Sequence, residues 1–223
     1  MKTPKGTLIA IGGNEQKKFR KTEEGFQSTF GEGFILQDII NNAEVSKPRI
    51  EIITTASEIP EVVGKKYKES FLRLGVENIG VLDIRDRNEA DQSSTLNRIS
   101  SSDIILFSGG DQSKISRIIK DTLAHRLIHE RYQNEKFTIA GTSAGAVVMS
   151  QEMISGGRNG TVIRKNDLKM GTGLGLISEI IFDSHFIKRH RFGRLAEAVA
   201  LHPDKLGVGL ERIPVLLSEK EIF

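Results

Sequence analysis

Three glycine turns, each set against a short apolar run, constrain this chain more than any other feature. Gly12-Gly13 follows Thr7–Ile11 (TLIAI), Gly109-Gly110 follows 103–107 (DIILF), and Gly141-Thr142-Ser143-Ala144-Gly145 closes the run at 137–141. Short apolar runs bounded by glycine read as buried strands. Strands are also expected at 49–54, 76–84, 180–182 and 207–210. Amphipathic stretches at 34–45, 60–74 and 112–132 read as helices, the second opening on Pro60 and stopping at Gly75. Further helices are expected from the third glycine turn to about 153 and at 188–201, with a loop or hairpin at 155–175. Strand and helix thus alternate from residue 7 to about 153. That order predicts an α/β fold: a parallel, doubly wound sheet with helices on both faces. Ligands bind such sheets at the carboxyl ends of the strands, so the three glycine turns are expected to line one crevice.

Composition removes several alternatives. At 223 residues the chain is expected to be one domain over 1–223. With no cysteine it has no disulfide, no thiolate metal site and no thiol nucleophile. No apolar run approaches the roughly 20 residues of a membrane span. The N-terminal apolar stretch is too short for a signal peptide, so a soluble, cytoplasmic protein without membrane partners is expected. Net charge is +3, and aromatics are 6% with no Trp. That is a poor basis for binding nucleic acid, which calls for a strong basic face or stacking platforms.

Gly141-Thr142-Ser143-Ala144-Gly145 fits G-x-S-x-G between a strand and a helix. There the pattern makes a nucleophile elbow, with the Ser143 hydroxyl raised above the sheet and the Ala144 N–H aimed at a developing oxyanion. The competing reading is a tight turn that only needs small residues. Among five histidines, His185 stands just past a strand in Asp183-Ser184-His185-Phe186 and is the candidate base; a partly buried loop histidine is the alternative. His125 and His129 lie four apart, which predicts an exposed helix face rather than a metal pair. His202 before Pro203 reads as a cap or surface residue. The cation run Lys188-Arg189-His190-Arg191-Phe192-Gly193-Arg194 reads either as a solvated face or as a pocket for an anionic substrate, since arginine forks bind carboxylates. Gly110 is expected to give a second oxyanion N–H, with Asp111 capping the helix that Gln112 opens. Gly12-Gly13-Asn14 lacks the spacing of a phosphate loop.

Taken together and in order, these segments resemble the cyanophycinase family, serine peptidases related to aspartyl dipeptidase. The likeness rests on Ile11-Gly12-Gly13, Phe107-Ser108-Gly109-Gly110-Asp111-Gln112, Gly141-Thr142-Ser143-Ala144-Gly145-Ala146, Gly173-Leu174-Gly175-Leu176, and Asp183-Ser184-His185-Phe186 with the arginines that follow. The resemblance implies a class I glutamine amidotransferase-like (flavodoxin-like) three-layer sandwich that needs no metal or other cofactor. It implies hydrolysis of cyanophycin, a poly-aspartate carrying arginine on its side chains, to β-aspartyl-arginine dipeptides. It makes Ser143 the nucleophile and His185 the base. It puts Gln112, Asp183, Ser184, Arg189, Arg191 and Arg194 on substrate-pocket positions. A homodimer is one assembly the chain allows.

Two departures stand out. Ser184 replaces the family's usual Gln, and Arg212 falls where the family carries its triad acid, with Glu211 one residue before it. Either Glu211 turns in to orient His185, or the triad is incomplete. The chain after Glu211 is also shorter than in the family. Two other readings therefore stay open: an aspartyl dipeptidase-like peptidase, against which the arginine spacing argues, and a catalytically impaired polyanion-binding homologue.

Overall fold

A computed structural model describes residues 3–13, 20–22, 25–27, 32–157, 167–211 and 214–217, with the backbone alone at 20–22, 25–27 and 32–34. The chain runs β1 (Thr7–Ile11), a hairpin of β2 (Arg20–Thr22) and β3 (Gly25–Gln27), α1 (Glu32–Asn41), β4 (Ile50–Ile53), α2 (Pro60–Arg73) and β5 (Ile79–Leu82). Then come α3 (Arg87–Asp91), α4 (Ser93–Ser100), β6 (Ile104–Phe107), α5 (Gln112–Ile119), α6 (Leu123–Asn134), β7 (Thr138–Thr142) and α7 (Ala144–Val147). The remainder is β8 (Glu152–Gly156), β9 (Lys169–Thr172), β10 (Ile180–Ser184), α8 (Phe192–Leu201), β11 (Leu206–Leu210) and β12 (Val215–Leu217).

The main sheet has the order β12-β1-β7-β6-β4-β5. Every pairing in it is parallel except β12 against β1. Successive side chains of a strand point to opposite faces, and the sequence uses both. Leu8, Ala10, Ile105 and Phe107 face one core, closed by Ile115 and Ile128 of α5 and α6. Ile9, Ile11, Ile104 and Leu106 face the other, closed by Ile39 of α1 and Phe71 of α2. Two apolar faces explain why these strands read as continuous hydrophobic runs.

Three expected helices end differently. The helix at 112–132 is two, because Asp121 takes φ +63° and Thr122 then caps α6 by accepting the His125 N–H. The helix expected to about 153 stops at Val147. Beyond it the carbonyls of Val148 and Gln151 accept the amides of Leu174 and Gly173, and this draws the backbone into the β8–β9 hairpin. The helix expected from 188 starts at Phe192, because the Arg189 and Arg191 amides bond back to the carbonyls of His185 and Phe186.

β10 and β11 form a parallel pair apart from the main sheet. The pair is fastened to the end of β1, where the Gly12 N–H donates to the Glu211 carbonyl at 2.8 Å. This join brings the second half of the chain to the carboxyl edge of the sheet.

Candidate active site

Ser143 is the residue between β7 and α7, with φ 53° and ψ −109°. A non-glycine residue at positive φ is strained and persists only where its surroundings over-determine it. Here its N–H donates to the Ile11 carbonyl at 2.8 Å, and the turn packs so tightly that a Cβ on Gly145 would lie 2.2 Å from the Phe107 carbonyl oxygen. The small residues of the motif therefore have a steric reason, and the same geometry lifts the hydroxyl out of the sheet. The N–H groups of Ala144 and Gly110 have no acceptor among the described residues.

His185 is the first residue past β10, and its Nε2 lies 2.8 Å from Ser143 Oγ. It too has positive φ, at 51°. Its N–H donates to the Gly12 carbonyl at 3.3 Å. Consecutive carbonyls at the end of β1, those of Ile11 and Gly12, thus hold the amides of Ser143 and His185. Gly13 follows at φ +91°, and a Cβ there would lie 2.8 Å from both His185 Cε1 and Ser143 Cβ. The first glycine turn, which fits no phosphate loop, is the floor on which these two side chains meet. The three glycine turns line one cleft, as their strand-end positions predict, with Gly13, Gly109, Gly110, Thr142 and Ser143 all on its wall.

Glu211 Oε1 accepts the Ile187 N–H at 2.5 Å and the Lys188 N–H at 3.2 Å. Its carboxylate closes the loop after His185 by accepting these two amides. Arg212 lies outside the described residues.

The four cations of the 188–194 run divide. Arg189 lines the cleft beside His185. Arg191 and Arg194, each 8% exposed, turn away from it to Asp183, which is fully buried. Arg194 Nε donates to Asp183 Oδ2 at 2.6 Å, and its Nη2 donates to Oδ1. Arg191 Nη1 donates to Asp183 Oδ1 at 3.3 Å and to the Ser184 carbonyl at 2.6 Å. Burial, and then the neighbouring Arg194, pull the Arg191 guanidinium down to about 10, so it stays a cation at neutral pH. Asp183, Arg191 and Arg194, expected on substrate-pocket positions, pair with one another, and none of the three lines the cleft. Removing one partner of such a buried pair typically costs about 3–5 kcal/mol. Gln112 also points elsewhere, its Nε2 donating to the Ile154 carbonyl at 2.8 Å. Ser184 stays at the site, with its Oγ 3.4 Å from Ser143 Oγ.

The cleft above Ser143 and His185 has a volume of about 500 Å³. Its far wall is α2, which presents Lys66, Tyr67, Glu69, Ser70 and Arg73. Tyr67 reaches the elbow, its hydroxyl 2.8 Å from Thr142 Oγ1. Nothing in the amphipathic pattern of 60–74 distinguishes this face from an ordinary solvated one, because which helix borders the edge is decided by the crossovers. His125 is not a plainly exposed residue either. Its Nε2 lies 2.7 Å from the Leu174 carbonyl and its Nδ1 accepts the Asp121 N–H. Both ring nitrogens are therefore engaged, which excludes a metal pair with His129. His202 caps the end of α8, as expected. Among the described residues no cluster of three or more His, Cys, Asp or Glu is arranged to hold a metal, and no helix is long and apolar enough to cross a membrane.

Residues 24–221 match the model of peptidase family S51. Over 224 aligned residues the chain is 36% identical to a cyanophycinase of Trichormus variabilis, covering 99% of this chain and 71% of that protein. A cyanophycinase of Geminocystis herdmanii is 32% identical over 219 residues, covering 98% of this chain and 76% of its own length. The crystal structure of a peptidase from an acI-B1 actinobacterium superimposes with a TM-score of 0.71, covering 97% of this chain and 84% of that one at 21% identity. The fold is the class I glutamine amidotransferase-like sandwich of these peptidases.

Proposed function

The chain belongs to peptidase family S51, and from that premise we propose that Ser143 and His185 are the nucleophile and base of a cyanophycinase-like serine peptidase. The observation that carries the assignment is the 2.8 Å contact between Ser143 Oγ and His185 Nε2 at the mouth of the cleft.

The chemistry follows from the parts. His185 Nε2 takes the hydroxyl proton as Ser143 Oγ attacks the scissile carbonyl carbon. The N–H groups of Gly110 and Ala144 receive the oxyanion; one such donor is commonly worth about 3 kcal/mol in the transition state. As the tetrahedral species collapses, the C–N bond breaks and His185 gives its proton to the departing amine. Water, deprotonated by His185, then hydrolyses the acyl-enzyme and frees Ser143.

The substrate is cyanophycin, cut to β-aspartyl-arginine dipeptides. A chain carrying both carboxylates and guanidiniums needs a wall with both signs of charge. Lys66, Arg73 and Arg189 supply cations facing the cleft, and Glu69 supplies a carboxylate. Arginine and lysine at these places suit carboxylates held at the surface of a solvated cleft.

Insoluble cyanophycin incubated with the protein should release soluble β-aspartyl-arginine, followed by mass spectrometry, and Ser143→Ala should release none. Release that survives Ser143→Ala would remove the serine from its role. Granule binding without release would identify an impaired homologue, and cleavage of short aspartyl peptides alone would identify a dipeptidase.

A further inference from the structure

We propose that Arg85 is a positioning residue for the oxyanion hole: it fixes the turn at residues 54–57, and that turn sets the place of Gly110. The inference rests on the roles of Ser143 and Gly110 proposed above. Gly110 lines the cleft with Ser143 and takes φ +149°. It lies hard against the turn that follows β4, since a Cβ on Gly110 would come within 2.0 Å of the Ala56 carbonyl oxygen and 2.9 Å of the Ser57 nitrogen. The same Ala56 oxygen accepts the Asp111 N–H at 3.0 Å. One carbonyl therefore abuts Gly110 and holds the amide that follows it. A shift of that carbonyl is passed to the Gly110 peptide by contact and by hydrogen bond together. An oxyanion donor tolerates little such shift, because its effect depends on its being aimed in advance at the developing charge.

The turn is locked by a closed ring of contacts. The Ser57 N–H donates to the Thr54 carbonyl at 2.9 Å. The Thr54 hydroxyl donates to Oδ1 of Asp83, the first residue past β5, at 3.2 Å. Arg85 Nε lies 2.7 Å from that same oxygen, and Arg85 Nη1 donates to the Ser57 carbonyl at 3.0 Å, which closes the ring. Arg85 is itself held, its N–H donating at 2.7 Å to Glu89 Oε2 in α3, the helix that Asp86 caps. On the other side of the turn, Lys114 of α5 pairs with Glu58. All four turn residues are buried, and a buried carbonyl needs a donor; Arg85 supplies one to Ser57. The Arg85 side chain is 36% exposed, so it can be exchanged without opening the core. Its ion pair with Asp83, equally accessible to water, adds little to stability. Its effect therefore belongs to the geometry of the hole.

A trifluoromethyl ketone in place of the scissile carbonyl, built on an aspartyl residue with arginine on its side chain, separates that geometry from substrate binding. Ser143 Oγ adds to its carbonyl carbon, the π pair moves to oxygen as the oxyanion, and the hydroxyl proton passes to His185. The inhibitor thus reads the oxyanion donors, whereas an interaction made only in the transition state leaves KM unchanged. On soluble β-aspartyl-arginine oligomers, Arg85→Met should lower kcat by about ten-fold and hold KM within about two-fold. It should raise the inhibitor's Ki by the factor lost from kcat/KM. Arg85→Lys should recover part of both, and the urea unfolding midpoint of each variant should stay close to that of the unaltered protein. Thr54→Val, which removes the ring's hydroxyl and keeps its shape, should act in the same direction and carries the test if Arg85→Met does not fold. A raised KM with unaltered kcat would overturn the proposal, as would an unaltered Ki in a variant that has lost kcat, or full kcat in both Arg85→Met and Thr54→Val. Failure of the unaltered protein to bind the ketone at all would instead overturn the assignment of Ser143 on which the proposal rests.

Discussion

Ser143 and His185 are each the first residue past a parallel strand, and each is held at positive φ, 53° and 51°, where their side chains meet at 2.8 Å. Neither residue favours that backbone region by itself. The strain is offset by neighbouring carbonyls of one strand end, Ile11 for Ser143 and Gly12 for His185. The two proposed catalytic groups are thus registered to a common backbone segment rather than only to each other.

That segment can be tested at Gly13. Alanine there would adopt φ +91° with its Cβ 2.8 Å from both side chains. Gly13→Ala should lower stability by about 1–2 kcal/mol. It should lower kcat by about a hundred-fold or more, because a displacement of about 1 Å is enough to do so. Thermal unfolding and steady-state kinetics on the same preparation check both. Unchanged kcat would show that the floor tolerates a methyl group.

Tyr67 should matter to the elbow without being essential. Its hydroxyl is 2.8 Å from Thr142 Oγ1, one residue before the serine. Tyr67→Phe removes that bond and keeps the ring. A stability loss of about 1 kcal/mol is expected, with a several-fold drop in kcat. Tyr67→Ala should add a rise in KM, because the ring is also part of the cleft wall.

Glu211 should behave as the clasp of a loop. Its carboxylate holds the amides of Ile187 and Lys188, two and three residues after the base. Glu211→Gln keeps an acceptor oxygen and should reduce kcat by about ten-fold or less. Glu211→Ala removes the clasp and should cost more, with about 1–3 kcal/mol of stability, since hydrogen bonds to a charged group are lost. A fall of about 10⁴ for Glu211→Gln would instead be the mark of an acid that orients the imidazole directly.

His125 makes stability depend on pH. Burial holds its imidazole below the ordinary value of 6.5, with its Nδ1 accepting the Asp121 N–H. As pH falls below 6.5 the unfolded chain takes up this proton before the folded one does. The contribution of this site to stability is therefore complete above 6.5 and declines as pH drops toward the lowered folded value. Urea unfolding at about pH 7.5 and about pH 5.5 should show a larger loss for the unaltered protein than for His125→Gln. Equal losses would assign the acid sensitivity elsewhere.

Much of the site was legible in the chain. Gly141-Thr142-Ser143-Ala144-Gly145 marks the elbow because its packing against Phe107 admits only small residues, and a steric demand of that kind leaves a pattern of residue types. The alternation of apolar runs and helices likewise carries the doubly wound sheet, since strands covered on both faces must be apolar throughout. His185 could be nominated from its place at a strand end. Its partnership with Ser143, 42 residues away, was an expectation drawn from strand ends and from the resemblance, while the 2.8 Å geometry depends on how β10 and β11 dock against Gly12.

The arginines show the limit most clearly. In the sequence, Arg189, Arg191 and Arg194 are equivalent members of one cation run. Only the tertiary structure turns Arg189 into the cleft and Arg191 and Arg194 inward to Asp183. Charge and spacing determine that such forks will hold carboxylates. Whether the carboxylate is a ligand's or the protein's own is decided by burial, which arises from the packing of α8 and the 185–191 loop against the end of β10 and is written at no single position.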